Sequence, residues 1–248
     1  MVSATRINHN CRIVLTWCGN SLTVLMERDV EMAMSRLPDS EHSTIFVARL
    51  ADRRDQLFPV ELPLLEGRTA RRRDEFSSGR YCARRAMVAR GMPAGPVVSN
   101  TDRSPAWPSG TRGSLTHSQQ LVGAAVSGSL EGLGIDLEHF GRLSRRAAER
   151  ILTEVESRKL DVAGEDDFLR QATIVFSAKE AVYKAIYPIA RLYVGYREVR
   201  ITLKPEQAEF RASYVGHNRL NNPLESGVGH WGLIEGAVLT RFEIGELR

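Results

Sequence analysis

The stretch "AAVSGSLEGLGIDLE", residues 124–138, decides how the chain is divided. One apolar run, "LVGAAVS", ends at Ser127, and a second, "GLGIDLE", opens at Gly132. Both read as strands, with "GSLEG" as the turn that joins them. The turn marks a seam between two halves, 1–129 and 130–248. Successive side chains of a strand point to opposite faces, so Asp136 and Glu138 share one face while Ile135 and Leu137 share the other. Two residues of rise hold the acids about 7 Å apart at Cα. Their carboxylates can converge on one small object, and like charges held that close repel unless a cation or a proton joins them.

Outward from that run, strands and helices do not alternate regularly, which predicts an α+β fold rather than a doubly wound one. Upstream, "STIFVARL" reads as a strand and residues 65–89 as a helix with Phe76, Ala83 and Met87 on one face, stopped by Gly91 and Pro93. Gly79 weakens that helix. "SNTDRSPAWPSGTRGS" is a loop rich in Pro, Gly, Ser and Asn, long enough to be functional. Downstream, "SRRAAERILTEVESRKL" reads as one helix, and "DDFLRQATIVFSAKEAVYKAIY" as another ended by Pro188. "REVRITL", "AEFRASYV" and "WGLIEGAVLTRFEI" read as strands, the last bent or folded into a hairpin. No short internal repeat is visible, which disfavours solenoids and propellers.

With 42% hydrophobic and 26% charged residues in 248, the chain is ordinary globular material. Its net charge of +4 is unevenly placed, arginines crowding "RTARRRDEFSSGRYCARRAMVAR" and acids later in "LTEVE" and "GEDDF". A local basic patch speaks for an anionic partner, not for a fold. Three cysteines with no C-x-x-C pair argue against a disulfide framework or a zinc site and suit a reducing, cytoplasmic setting. The early run "IVLTWCGNSLTVLM" is interrupted by Asn20 and Ser21 and is too short to span a bilayer, so it reads as core or strand rather than as a signal peptide.

Four groups of residues carry chemistry. In "FSAKEAVYKAIY", Glu180 and Lys184 are four apart and neighbour each other on a helix, with Lys179 and Tyr183 as the adjacent pair. Alone that is the commonest kind of surface pair. Joined to the two strand acids it suggests oxygen ligands for a hard cation such as Mg²⁺, with lysines to hold phosphate. In "GSLTHS", Thr116, His117 and Ser118 offer donors that suit a phosphate oxygen. In "RRRDEFSSGRYCAR", Arg72 and Arg80 fall on similar sides of a helix, and their planar forks match phosphate.

Taken in order, "RRDEFSSGRYCARRAM", "RSPAWPSGTRGSLTHS", "GIDLE" and "FSAKEAVYKA" resemble the Sfp-type 4′-phosphopantetheinyl transferases, most closely the siderophore-type, enterobactin synthetase component D-like branch. The resemblance runs from about Leu65 to Arg248. It implies two similar α+β halves packed as an intramolecular pseudo-dimer. It further implies transfer of the phosphopantetheine arm of coenzyme A to a serine of an apo acyl, peptidyl or aryl carrier protein, with release of 3′,5′-ADP. Matched residue by residue, Asp136, Glu138 and Glu180 would bind Mg²⁺, or Mn²⁺, on the pyrophosphate. Glu180 would also serve as general base, and Lys179 and Lys184 would lie near the phosphates. Arg72, Arg80, His117 and Thr116 match the 3′-phosphate site. Arg103 fits a basic residue before the family's Pro, although "DRSP" has Ser104 where Glu is commoner. Tyr183 and Tyr193 would line the pantetheine channel, and Arg84, Arg85 and Arg191 would meet an acidic carrier. The expected protein is a cytoplasmic monomer that binds neither nucleic acid nor membrane. Two other readings are a Mg²⁺-dependent nuclease and a silent coenzyme A- or carrier-binding module. The order lysine-then-acid inside a helix argues against the first, and the presence of all three acids with Lys184 argues against the second.

Overall fold

The computed structural model describes residues 13–15, 24–27, 37–38, 40–162, 164–191, 193–216 and 223–246. It divides into two compact units, Met1–Met32 with Asp39–Leu130, and Ala33–Pro38 with Glu131–Arg248. Each mixes a sheet with helices, which makes the fold α+β.

The first unit is built on a sheet in the order β1 (Ile13–Leu15), β2 (Val24–Glu27), β3 (Thr44–Arg49), β7 (Leu121–Ser127), β6 (Arg112–Ser118). β2 and β3 run parallel and the other pairs antiparallel. Of the early apolar run, residues 16–23 lie outside the described residues, and the parts described are strands. Helix α1 (Ala70–Ala89) buries Phe76, Ala83 and Met87, the face expected of it. The helix begins at Ala70 rather than at Leu65. Thr69 has extended backbone and its side chain accepts the Arg72 amide at 3.4 Å, while Pro59–Leu65 forms a separate 3₁₀ segment. Gly79 does not break it. A Cβ there would sit 3.9 Å from Leu115, an ordinary contact, so the position has room for a methyl group and the helix passes through it unbroken. The long loop holds a small ribbon, β4 (Val98–Ser99) paired with β5 (Pro105–Ala106).

The second unit has a sheet in the order β8 (Leu130–His139), β12 (Ala237–Glu246), β11 (Gly227–Ile234), β10 (Glu209–Tyr214), β9 (Val199–Lys204). The last expected strand is a hairpin, its turn made by Glu235 and Gly236 at φ 45° and 75°. The expected single helix after Ser144 is two, α2 (Arg145–Ile151) and α3 (Glu154–Leu160). Thr153 interrupts it. Its side chain caps the α3 amides while Glu156 reaches back to the Thr153 amide at 2.7 Å. Helix α4 (Glu165–Ala190) runs through Pro188 and ends where Arg191 turns left-handed at φ 53°. A proline in the final turn removes one hydrogen bond but has little helix left to break. α4 packs its Ala178, Ala181 and Val182 onto a core that includes Phe210 and Phe242, whose rings stack at 5.8 Å.

Candidate active site

The site in the second unit begins with two glycines. A Cβ on Gly134 would lie 1.8 Å from the Ala181 carbonyl oxygen, and one on Gly132 would lie 2.7 Å from that of Ala185. β8 therefore meets α4 backbone against backbone, and the residues flanking Ala181 come down beside the strand acids. Ile135 and Leu137 are fully buried on the apolar face, Asp136 is 4% exposed, and Glu138 is half-buried. Lys184 Nζ donates to Asp136 Oδ1 at 2.6 Å and to the Ile135 carbonyl at 3.2 Å. From the other side of α4's turn, Glu180 Oε1 accepts the phenol of Tyr196.

These charges feel one another. Burial first, then the fields of Asp136 and Glu180, push the Glu138 carboxyl up to about 7, against the opposing pull of Lys184 and Arg142. Burial and Glu180 together raise the Tyr196 phenol, which stays a donor. Three coupled carboxylates make an all-oxygen donor set that fits a hard divalent cation in kind and charge. They do not form a ready cage. Among the described residues no group of three or more His, Cys, Asp or Glu is arranged to hold a metal ion, and Lys184 and Tyr196 occupy Asp136 and Glu180.

Lys179 is placed differently from Lys184. Its side chain is 1% exposed, and its ammonium gives its three hydrogens to Glu156 Oε2 at 2.7 Å, Tyr196 O at 2.8 Å and Ile151 O at 2.9 Å. Burial pulls its pKa down and Glu156 pulls it back up. Glu156 Oε1 also accepts the Ile201 amide at 2.6 Å. This buried pair ties α3, α4 and the start of β9 together. Glu156 could have been found from "TEVE", a capping-box pattern, whereas Tyr196 carries no local signal.

In the first unit, Arg72, Arg80, Thr116 and His117 line one pocket of about 130 Å³, together with Arg68, Glu75 and Phe76. Arg80 is 7% exposed, lies 3.6 Å over the Phe76 ring and donates from Nε to the Val97 carbonyl at 2.9 Å. Desolvation lowers its pKa to about 10. Glu61, fully buried, accepts the Val97 amide at 2.7 Å and Arg84 Nη1 at 3.2 Å, so it fixes the backbone that holds Arg80. Glu75 faces the pocket. It pairs with Arg72 at 2.7 Å and Arg71 at 3.0 Å, with His117 Nε2 at 3.8 Å. An acid inside "RRRDEF" was there to be noticed, but only the fold turns it inward. Arg103 is exposed at φ 67° in the turn between β4 and β5, its amide bonded to the Asn100 carbonyl at 2.9 Å, and is not among the pocket's lining residues.

The first unit carries an arginine-lined pocket, and the second a strand–helix cluster of carboxylates. The 4′-phosphopantetheinyl transferase N-terminal domain matches residues 61–127, and the 4′-phosphopantetheinyl transferase superfamily matches residues 132–228. The chain is 32% identical to the 4′-phosphopantetheinyl transferase PptT of Mycobacterium tuberculosis over 73% of its own length and 83% of the relative's. It is 32% identical to Svp of Streptomyces mobaraensis, covering 76% and 78%. It is 30% identical to enterobactin synthase component D of Escherichia coli, covering 60% and 73%. A solved holo-[acyl-carrier-protein] synthase from Thermotoga maritima matches 48% of this chain and 66% of that one, at 17% identity and a TM-score of 0.39, a likeness too slight to bear on the site. The chain belongs to the 4′-phosphopantetheinyl transferase superfamily, with siderophore-type members among its relatives. It is an enzyme of that class, whose members move 4′-phosphopantetheine from coenzyme A to carrier proteins.

Proposed function

We propose that this chain transfers phosphopantetheine to a serine of an apo acyl, peptidyl or aryl carrier domain of a siderophore, peptide, polyketide or fatty-acid synthase, using Mg²⁺ held by Asp136, Glu138 and Glu180. The observation that carries the reading is the backbone contact at Gly134, which brings Lys184 onto Asp136 and Glu180 into the field of Glu138. A bound Mg²⁺, or Mn²⁺, would neutralise the pyrophosphate and the charge that grows on the leaving phosphate. Glu180 takes the proton of the attacking serine, whose oxygen bonds to the pantetheine-side phosphorus as the pyrophosphate bond breaks and 3′,5′-ADP departs. Lys184 supplies a mobile positive charge beside that anhydride.

In the first unit, Arg72 and Arg80, with His117 and Thr116, receive the 3′-phosphate in the pocket they line. Lys179, with its hydrogens committed inside the protein, enters as a brace of α4 rather than a phosphate ligand. Arg103, standing outside that lining, enters as an outer contact to the nucleotide. Tyr193, 76% exposed with its ring 5.7 Å from that of Tyr183, offers a surface for the pantetheine arm. Arg84 gives its guanidinium to Glu61 and the Gln56 carbonyl, Arg85 stacks over Phe46 and Arg191 over Tyr187, and these three arginines are assigned to meeting an acidic carrier. The reduced, buried thiol of Cys82, which faces the Val122 carbonyl at 3.5 Å, suits a cytoplasmic setting, and no helix among the described residues is long and apolar enough to cross a membrane. We read the enzyme as a monomer without nucleic-acid partners, and family membership displaces the nuclease alternative.

The test is mass spectrometry of an apo carrier incubated with coenzyme A and Mg²⁺. A gain equal to phosphopantetheine, lost on chelation and lost in Glu180→Gln, is expected. No gain across a panel of carriers overturns the reading. Arg80→Ala should weaken coenzyme A binding and leave dephospho-coenzyme A little changed; equal losses would remove Arg80 from the 3′-phosphate site.

A further inference from the structure

Tyr196 lies just past α4 on the short 3₁₀ turn Tyr196–Glu198, and three contacts fix it. Its ring meets Phe176 edge-on at 5.7 Å. Its carbonyl accepts Lys179 Nζ at 2.8 Å. Its phenol donates to Glu180 Oε1. Behind it, Lys179 is held by Glu156, which also accepts the Ile201 amide at 2.6 Å, so the turn is pinned at the base of β9. Glu180 is only partly buried on α4 and its side chain has three torsions to order. A base is effective only if its oxygen is held close to the productive geometry.

We propose that Tyr196 is a positioning residue for Glu180: its phenol binds one carboxylate oxygen and sets the plane of the other for ligand. The Glu156–Lys179 pair serves as the frame that holds the phenol in place. A hydrogen bond to an ionised carboxylate is about twice as strong as a neutral one, so a single phenol suffices to select one rotamer. The assignment deepens the reading of Glu180 as base and metal ligand, and rests on it.

The experiment uses the full chain with Tyr196→Phe, which keeps the ring against Phe176 and the carbonyl for Lys179 and removes only the hydroxyl. Transfer to an apo carrier should lose about tenfold or more in kcat, the range typical of partners that orient ligating side chains. KM for coenzyme A should stay within about twofold, since the phenol touches no part of the proposed nucleotide site. Mn²⁺ affinity, measured by calorimetry with coenzyme A present, should fall severalfold while the melting temperature holds. Phe176→Leu is the counterpart, disturbing the ring's seat and sparing the phenol. It should move the melting temperature more than Tyr196→Phe does and kcat less. Unchanged kcat and Mn²⁺ affinity in Tyr196→Phe overturn the proposal, as does an equal pattern in the two variants. If the unaltered chain transfers nothing, the functional reading fails, while the Mn²⁺ comparison still decides whether Tyr196 governs Glu180.

Discussion

Two lysines five positions apart on α4 have separate tasks, and burial is what divides them. Lys184 keeps a quarter of its side chain in solvent and holds Asp136, whereas Lys179 is sealed against Glu156. Removing one partner of a sealed pair strands the other charge, so Lys179→Met should lower unfolding free energy by about 3–5 kcal/mol. Adding Glu156→Gln should then cost much less than the sum of the single changes, read from urea denaturation. His230 offers a second residue-level test. Across the sheet it faces Arg241 and Glu209, with Arg211 and Glu243 nearby, and burial followed by Arg241 depresses its pKa below 6.5. The unfolded chain gains that proton as pH falls through about 6.5 and the native one resists it, so stability drops on the acid side. His230→Gln should flatten the fall in melting temperature between pH 7 and 5. At this scale the site acids, Lys184 and the pocket arginines were readable because their types and spacing are local. Lys179's burial, Glu61 and Tyr196 were not, because partners 16 to 36 residues away decide them.

Among the elements, the glycines of "GLGIDLE" matter as much as its acids. Gly134→Ala would drive a methyl group into the Ala181 carbonyl, and overpacking of that kind should destabilise by about 3 kcal/mol or more. A fall in the urea midpoint with unchanged slope would confirm it; a neutral result would mean that α4 can lift from β8. Strand identity was legible from short apolar runs bounded by turn residues, as in β7 and β8, which are buried along most of their length. The sequence reading merged α2 and α3 because the apolar period continues across Thr153, yet a capping box stops one helix and starts the next. The stop expected at Pro188 puts the end of α4 at Tyr187, three residues before Ala190, because a proline breaks a helix only when enough of it remains to be broken.

For the whole molecule, the seam drawn from a turn signal lies close to the change of unit at Leu130, but no local pattern marks Leu37 and Pro38 as belonging with the later residues. Leu37 is buried against Gly232, where a Cβ would lie 2.5 Å from its amide, and the Pro38 carbonyl accepts Arg241 Nη2 at 2.9 Å. A fragment of residues 131–248 should therefore be less stable than one that also carries 33–38, by about 1–3 kcal/mol for the buried guanidinium's lost acceptor. Equal denaturation curves would show the strap to be dispensable.

The strand–helix contact at Gly134 has a thermal consequence. Direct packing of one main chain on another, not yielding side chains, sets the gap between Asp136 and its helix neighbours, so warming has no soft layer through which to spread them. Catalysis should persist until the second unit melts, and inactivation and ellipticity should fall on one curve, without a folded but idle species between them.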